Sequence, residues 1–150
     1  MFSSFIFRIF CAAFALVTIG CTSNQIEELP VQQAPCGDDI IQDVALFNAT
    51  SLVSVNIQQT TLSAHCFTVL YTASGCDGNS WIPRLVSDGA VDYTSTPATR
   101  KVKFVLENDE LCLAVFLKEK SFDLQSMQLS GHNSVQIRLT NNNQNFVYQY

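Results

Sequence analysis

The sequence predicts an all-β protein, an immunoglobulin-like antiparallel β-sandwich of about seven strands formed by residues 36–150. The main observation is a period-two alternation of apolar and polar side chains, which places one face of each strand inwards. β-Branched and aromatic residues predominate in these stretches, as they do in strands. Residues that favour tight turns separate them. With 150 residues and a hydrophobic share of 47%, the chain is long enough for one domain with its own core.

The predicted strands can be placed one by one along the chain. Alternation is clearest in four stretches: Val53–Gln58, Val102–Glu107, Val135–Thr140 and Phe146–Tyr150. Two continuous apolar runs, Cys66–Thr72 and Leu111–Leu117, predict more deeply buried strands. Trp81–Val86 contains Pro83 and predicts an edge strand, because proline cannot donate to a central ladder. A short helix is predicted within Asp38–Phe47.

An export leader precedes the predicted domain. The apolar run Ile9–Ile19 has 11 residues, whereas a membrane-spanning helix needs about 20. Residues 1–20 are therefore predicted to be a signal peptide rather than an uncleaved membrane anchor. The boundary, which ends in Gly20 and Cys21, resembles the lipobox of bacterial lipoproteins, and this resemblance implies lipidation of Cys21 and cleavage before it. Thr18 and Gly20 also fit ordinary signal peptidase, which would leave Cys21 as an unmodified terminus.

Residues 21–35 are predicted to be a flexible tether, because they are polar and interrupted by Pro30 and Pro35. Within the tether, Gln25–Glu28 resembles the short acidic export signal that sends some Bacteroidota lipoproteins to the cell surface. The combined prediction is an outer-membrane lipoprotein of a bacterial cell envelope, on either the periplasmic or the exterior face. The membrane is then a partner through the lipid anchor.

Charge and motifs narrow the function classes. Eight Lys and Arg residues against 13 Asp and Glu residues give a formal net charge of −5, which disfavours phosphate-rich partners, so no nucleic-acid binding is expected.

The sequence contains no hydrolase elbow, zinc-protease helix or phosphate-binding glycine loop. We therefore expect no catalytic residue, no cofactor and no metal. The predicted role is a non-catalytic binding or structural module with an envelope protein or glycan as partner, and the alternative is a hydrolase of envelope or dietary polymers.

The mature domain has an even number of cysteines, which in an exported protein predicts two disulfide bonds. These cysteines are Cys36, Cys66, Cys76 and Cys112. Their spacings of 30, 10 and 36 residues are unlike the closely spaced pairs of a zinc site. Three disulfide pairings are possible, and a metal cluster or buried free thiols are the alternatives.

Three short motifs occur in a recognisable order. They are a strand that ends in Gly-Cys, a second cysteine at the start of a later strand and a following Phe-Asp-Leu: Ser74–Gly78, Glu110–Cys112 and Ser121–Leu124. In this order they resemble a group of small Bacteroidota lipoproteins of unknown function, over about residues 66–129. The resemblance implies that Cys76 pairs with Cys112 and Cys36 with Cys66. It supplies no catalytic residue.

A few further residues are candidates for ligand binding. Trp81, the only tryptophan, is either a core residue or a platform on which a ligand stacks. His65 and His132 are the only histidines, and each is predicted to be a polar loop residue. Two polar groups have ligand types suited to calcium, although their spacing favours helix caps and a turn. These groups are Asp38, Asp39 and Asp43, and Asp77 with Asn79.

Two observations would separate the function classes. A cleft that joins a histidine to carboxylates would favour an enzyme. An exposed aromatic patch around Trp81 would favour a binding module.

Overall fold

The computed structural model describes residues 36–50 and 53–150. The predicted signal peptide, residues 1–20, and the predicted tether, residues 21–35, lie outside the described residues, as does the lipidation candidate Cys21. Within the described residues, no helix is long and apolar enough to cross a membrane.

The described part of the chain forms nine strands, one short α-helix and one 3₁₀ helix. In chain order these are β1 (Asp38–Asp39), β2 (Ile41–Gln42), α1 (Val44–Asn48), β3 (Asn56–Ser63), β4 (Cys66–Gly75), β5 (Ile82–Asp92), β6 (Thr99–Glu107), β7 (Ala114–Asp123), the 3₁₀ helix (Gln125–Met127), β8 (Ser134–Leu139) and β9 (Gln144–Gln149).

The strands form two sheets packed face to face, so the predicted β-sandwich is confirmed. One sheet has the order β1-β7-β4-β3 and the other the order β2-β5-β6-β8-β9. The sheets are mixed rather than purely antiparallel, because β1 runs parallel to β7, β2 to β5 and β6 to β8. The chain makes β1 and β2 as it crosses from one sheet to the other through the buried Ile40. β7, in the opposite sheet, separates β6 from β8, so these two strands meet by a crossover and not by a hairpin.

The helix is shorter than predicted and begins later. Asp38 and Asp39 form β1, and α1 begins at Val44. Asp43 caps this helix, because its carboxylate accepts a hydrogen bond from the N–H of Leu46 at 2.9 Å. The prediction that Asp38 and Asp39 cap the helix is therefore wrong.

The core lies between the two sheets and is filled by alternate strand residues. In β4 the inward side chains include Phe67, Val69 and Tyr71, all of them buried. Phe104 of β6 contacts Phe122 of β7 across the sandwich, with ring centroids 6.1 Å apart. Burying apolar side chains of this size contributes about 1.5–3 kcal/mol each. This core holds the two sheets together.

Two disulfide bonds brace the sandwich. The Cα atoms of Cys36 and Cys66 are 5.6 Å apart, and those of Cys76 and Cys112 are 4.7 Å apart. The predicted framework is confirmed, as is the pairing that the resemblance implied. The first bond joins the chain just before β1 to the start of β4, and the second joins the chain just after β4 to the segment before β7. Each bond therefore fixes one end of β4.

Pro83 lies where only one neighbouring strand is present. In β5 it is opposite Leu106 of β6, and pairing with β2 on the other side begins only at Val86. Proline has no N–H group to donate, and here no neighbouring strand on the open side needs one. Pro83 therefore fits the predicted edge position.

The prediction of a deeply buried strand at Leu111–Leu117 is wrong. The strand is β7, which starts at Ala114 and continues to Asp123. Its inward side chains, among them Phe116 and Phe122, pack against the core. In the first part of the strand the alternate side chains, Val115, Leu117 and Glu119, point outwards and are exposed. The apolar run therefore contributes side chains to both faces of the strand. In the described part of the chain only one of these faces is covered.

Candidate functional site

His65 and Asp123 lie side by side at the end of the sandwich where β4 begins. His65 is in the turn between β3 and β4, and Asp123 ends β7 directly opposite Cys66 in the ladder. His65 Nε2 lies 3.8 Å from Asp123 Oδ2. The two residues are 9% and 3% exposed, respectively. The fold thus joins one predicted loop histidine to a buried carboxylate.

The surroundings of this pair limit its chemistry. Asp123 Oδ1 accepts a hydrogen bond from the N–H of Gln125 at 2.7 Å, whereas Oδ2 has no hydrogen-bond partner among the described residues. Cys36 Sγ lies within 4.8 Å of the nearest His65 and Asp123 ligand atoms, but it is bonded to Cys66. The thiolate, not the disulfide sulfur, is the nucleophile and metal ligand. In the described part of the chain no hydroxyl or free thiol is recorded as hydrogen-bonded to the His65 side chain, whose recorded contact is the one with Asp123.

A cleft of about 260 Å³ opens beside His65. Its lining includes Gln125, Gln128, Tyr148 and Tyr150. Gln128 Nε2 donates a hydrogen bond to the Tyr148 hydroxyl at 2.9 Å. A cleft that joins a histidine to a carboxylate is the feature that favours an enzyme. It therefore keeps a hydrolase as the second candidate function.

The other polar candidates have roles in local structure. His132 is exposed in the turn before β8. Asp77 Oδ1 accepts a hydrogen bond from the N–H of Asn79 at 2.8 Å, as expected of a turn. Asp38 forms an ion pair with Lys120, with Nζ and Oδ2 2.7 Å apart.

A larger cleft of about 360 Å³ lies between α1 and β6. Lys103 Nζ crosses it and donates hydrogen bonds to the carbonyls of Phe47 and Ala49 at 3.0 and 2.6 Å. A cation at this position satisfies carbonyl groups at the carboxyl end of the helix. Thr50 and Val53 line this cleft, and residues 51–52 between them in the chain lie outside the described residues. Lys103 is the one cation among the described residues that line the cleft, and it is engaged in holding α1 on the sheet.

Trp81 lies in the core. It is 7% exposed, and its ring contacts Tyr71 and Phe116 with centroids 6.2 and 6.3 Å away. A ring covered to this degree presents almost no face on which a ligand could stack. The structure therefore places Trp81 in the core of the sandwich, not in an exposed aromatic patch.

The loop after β4 is organised around the Glu110 carboxylate. Glu110 Oε2 accepts hydrogen bonds from the N–H groups of Asp77 and Gly78, each at 3.1 Å, and of Cys76. Its Oε1 accepts a hydrogen bond from the Ser80 hydroxyl at 2.7 Å. These bonds, led by that of Ser80, lower the pKa of Glu110 to about 2. Converging backbone N–H groups of this kind bind anions, and here the protein's own side chain fills the position.

We expect Glu110→Gln to lower Tm at neutral pH, with the difference from the wild type shrinking as the pH falls. The pKa of Glu110 is lower in the folded state than its ordinary value of 4.5. Its ionised form therefore stabilises the fold above about pH 4.5, and this contribution is lost as the pH falls toward about 2. Thermal unfolding followed by circular dichroism at neutral pH and at these two values measures the effect. Glu119→Gln, at an exposed carboxylate of β7, is the matched control. A Tm difference for Glu110→Gln that is independent of pH would contradict the assignment.

Four exposed aliphatic residues alternate along β7 and the segment before it. Leu111, Leu113, Val115 and Leu117 are 94%, 89%, 67% and 59% exposed. We call these four residues the apolar ridge. Contiguous apolar surface is unfavourable in water, and where it is exposed it marks interaction sites.

The strand beside the apolar ridge does not cover it. On β4, Ser74 lies opposite Val115 and Thr72 lies opposite Leu117. Both side chains are short and polar, so they cannot bury the longer aliphatic groups next to them. The ridge therefore stands above its neighbour on this side.

The backbone on the other side of the ridge is open. β7 pairs with β4 along its whole length, but it pairs with β1 only at Phe122 and Asp123. Among residues 36–50 and 53–150, no strand pairs with the outer edge of β7 between Ala114 and Ser121. The N–H and C=O groups of alternate residues on this edge are therefore available to a further strand.

The other outer strands lack this combination. β3 has an irregular register between Ile57 and Gln59, and such bulges disfavour further strand pairing. β9 exposes Asn145, Val147 and Gln149, of which only Val147 is apolar. The apolar ridge with the open edge of β7 is thus the candidate functional site.

This site could not be predicted from the sequence, because every residue of Leu111–Leu117 is apolar. A run without alternation does not show which face is covered. A signal was present directly after it, where Lys118, Glu119 and Lys120 are three charged residues in succession. Consecutive charges are incompatible with burial on both faces of the strand. They point to a strand near solvent.

Comparisons with known proteins bear on the fold. No protein-family model matches the chain, and no curated protein matches it. The fold is similar to that of a solved protein of unknown function, DUF1344, from Bacteroides vulgatus, with a TM-score of 0.51 and 12% identity over 75% of this chain and 56% of that chain. A solved protein from Parabacteroides distasonis described as toxin-related gives a TM-score of 0.45 and 14% identity over 76% of this chain and 60% of that chain.

The two solved proteins are longer than the matched part of this chain and differ from it in most residues. The chain spans 56% and 60% of the two solved chains, and at these identities the first similarity shows the fold alone. The source of the first solved protein is consistent with the resemblance of this chain to small Bacteroidota proteins of unknown function.

Proposed function

We propose that this protein is a lipid-anchored module of a bacterial cell envelope that binds another protein without catalysis, through the apolar ridge and the open edge of β7. The observation that carries the proposal is the exposure of four aliphatic side chains at alternate positions, from 94% at Leu111 to 59% at Leu117. Sites that bind a partner by adding a strand combine exposed aliphatic side chains with an unpaired backbone edge beside them. The first supplies apolar contacts and the second supplies backbone hydrogen bonds.

The disulfide bonds support a location outside the cytoplasm. Two disulfides in one small domain are typical of proteins that fold in an oxidising compartment. The proposed anchor is Cys21, which follows Gly20 at the lipobox-like boundary. Such an anchor would hold the domain at the outer membrane while the tether, residues 21–35, lets it reach a partner.

The alternative function, a hydrolase, is favoured by one observation only, the pairing of His65 with Asp123 beside a cleft. Acyl-transfer hydrolases need an attacking group within hydrogen-bond reach of the histidine. In the described residues the nearby Cys36 sulfur is instead joined to Cys66. We favour the binding function because the exposed ridge is a feature of binding sites, whereas the sulfur nearest His65 is held in a disulfide bond. Turnover of an envelope or dietary polymer that is lost in His65→Ala would establish the alternative.

Site-specific photo-crosslinking in intact cells tests the binding function. A benzophenone amino acid at Leu113 is expected to form an adduct with an envelope protein, because this position is 89% exposed on the ridge. The same amino acid at Val147, which is 51% exposed on β9, is the matched control. Mass spectrometry of the purified adduct identifies the partner and the attachment point.

The binding function requires that the Leu113 adduct is absent when Val115→Lys is introduced in the same chain. A charge at this position must be desolvated to bury the ridge, which opposes docking. Equal adduct yields at Leu113 and Val147, or a Leu113 adduct unaffected by Val115→Lys, would refute a role for the ridge in binding.

A further inference from the structure

We infer that the Cys36–Cys66 disulfide bond occupies the place of a zinc site, which forms when a dithiol reductant opens the bond. The four ligands are the two released thiolates and the two side chains beside them: Cys36, Cys66, His65 and Asp123. The inference goes beyond the proposed function, because these residues lie where β4 begins and β7 ends and include none of the apolar ridge.

The buried Asp123 carboxylate points to a missing partner. Asp123 is 3% exposed, and its Oδ2 has no hydrogen-bond partner among the described residues. A buried carboxylate oxygen without a partner is unfavourable, and a bound ion is one way in which proteins satisfy such an atom. Asp123 Oδ1 accepts a hydrogen bond from the N–H of Gln125 at 2.7 Å. Hydrogen bonds of this kind orient the carboxylate ligands of metal sites.

The four ligand groups already converge. Cys36 Sγ, a ring nitrogen of His65 and a carboxylate oxygen of Asp123 lie within 4.8 Å of one another. Cys66 Sγ is bonded to Cys36 Sγ and so belongs to the same group. Cys66 also lies directly opposite Asp123 in the ladder, and directly opposed side chains point to the same face of a sheet.

The distances fit four-coordinate zinc after small movements. In a tetrahedral site the histidine nitrogen and the carboxylate oxygen are about 3.4 Å apart, whereas His65 Nε2 lies 3.8 Å from Asp123 Oδ2. Two zinc-bound thiolates are about 3.8 Å apart, roughly 1.8 Å more than the sulfur atoms of a disulfide bond. The Cα atoms of Cys36 and Cys66 are 5.6 Å apart, so rotation of the two side chains can supply this separation.

The backbone holds the ligands in place without the disulfide bond. At Gly37 the chain packs so closely on β7 that an added Cβ atom would overlap the Ser121 carbonyl group. Cys36 therefore stays beside β7 when its bond is opened. The carbonyl of His65 accepts a hydrogen bond from the N–H of Leu124 at 2.8 Å. The other two ligands belong to β4 and β7, which pair along their whole length.

The donor types select zinc among the common cations. Thiolate, imidazole and carboxylate groups are the usual zinc ligands, whereas calcium and magnesium prefer a shell of oxygen atoms. Four protein ligands fill a tetrahedral shell and leave no open position for a substrate. The site is therefore structural rather than catalytic.

Opening the disulfide bond requires two electrons, which the dithiol supplies by thiol–disulfide exchange. The two sulfur atoms of the dithiol join in a new disulfide bond, and their two protons pass to Cys36 and Cys66. Zinc then displaces both protons to solvent as it binds the thiolates. Bound zinc keeps the two sulfur atoms apart, so the disulfide bond and the zinc site exclude each other.

Cobalt titration of the full-length chain in detergent tests the inference, because four-coordinate cobalt in a thiolate site absorbs intensely in the visible and near-ultraviolet ranges. The wild type, reduced by a phosphine without oxygen, is expected to bind one equivalent and to show both absorptions. The oxidised chain should show neither. Cys36→Ala with Cys66→Ala should abolish both. The matched control, Cys76→Ala with Cys112→Ala, lacks the other disulfide bond and should keep them.

The contribution of the buried carboxylate is tested by Asp123→Asn. The amide preserves the shape of the side chain but is a poorer zinc ligand, so the zinc affinity of the reduced chain is expected to fall at least about tenfold. Competition with a chromophoric chelator measures it. Asp39→Asn, at an exposed position of β1, is the matched control and should leave the affinity unchanged. Equal affinities in the two variants, or cobalt absorption that persists without Cys36 and Cys66, would overturn the inference.

Alkylation of the reduced wild type gives a measurement that does not depend on whether a variant folds. Saturating zinc is expected to slow the reaction of Cys36 and Cys66 with iodoacetamide at least about tenfold, because a metal-bound thiolate is a weaker nucleophile than a free one. Cys76 and Cys112 should react at the same rate with and without zinc. Mass spectrometry of the alkylated peptides reads each cysteine separately. Equal effects of zinc on the two pairs would refute a specific site.

Discussion

Replacing Cys21 by serine is expected to abolish the lipid anchor of the mature protein. Acyl chains contribute about 0.8 kcal/mol per buried methylene, so the two or three chains of a lipoprotein hold it to a bilayer almost irreversibly. The described residues contain no helix that could replace this anchor. Serine cannot carry the thioether-linked lipid. The variant should therefore accumulate as an uncleaved precursor or, if ordinary signal peptidase accepts Thr18 and Gly20, as a soluble protein.

Mass spectrometry of the amino-terminal peptide from the membrane fraction measures the modification directly. In the wild type the peptide should begin at Cys21 and carry acyl mass. Cys11→Ser is the matched control, because it changes the same residue type within the apolar run of the leader and should leave the anchor intact. An unmodified Cys21 at the start of a soluble wild-type protein would show that the leader is a plain secretion signal.

The sandwich could be predicted because most of its strands are covered on one face only. In such strands alternation reports burial directly, as in Val135–Thr140, which the structure places at Ser134–Leu139. β1 and β2 could not be predicted in the same way. Each has two residues, too few to show a period. They form because the chain passes along existing sheet edges, and a local pattern does not encode that position.

The candidate site and the His65–Asp123 pair each escaped prediction for a physical reason. A fully apolar run is compatible with a strand covered on both faces and with a strand at an edge, and only the neighbours decide between them. The proximity of His65 and Asp123 depends on the register of β4 against β7, which sets Cys66 opposite Asp123. The register between strands that are distant in sequence follows from how the two inward rows pack together. His65 alone therefore looked like an ordinary loop residue.

Removing either disulfide bond is expected to lower the free energy of unfolding by about 3–4 kcal/mol. In the chain-entropy model this stabilisation arises because the bond restricts the unfolded chain, and it grows slowly with loop length. The sequence separations are 30 for Cys36–Cys66 and 36 for Cys76–Cys112, so the two bonds should contribute almost equally. A small domain has a total stability of about 5–15 kcal/mol. Loss of both bonds should therefore leave the domain close to unfolded.

The double variants Cys36→Ala with Cys66→Ala and Cys76→Ala with Cys112→Ala test this without leaving a free thiol. Urea unfolding followed by circular dichroism gives the free energy of each, and the two variants are matched controls because their loops are nearly equal in length. A larger loss in one variant measures native contacts that its bond holds in place. For Cys76–Cys112 these contacts are the Glu110 loop, since Glu110 accepts its hydrogen bonds from residues next to Cys76. A loss below about 1 kcal/mol in both variants would contradict the chain-entropy model for this domain. It would assign the stability of the sandwich to its core and not to the disulfides.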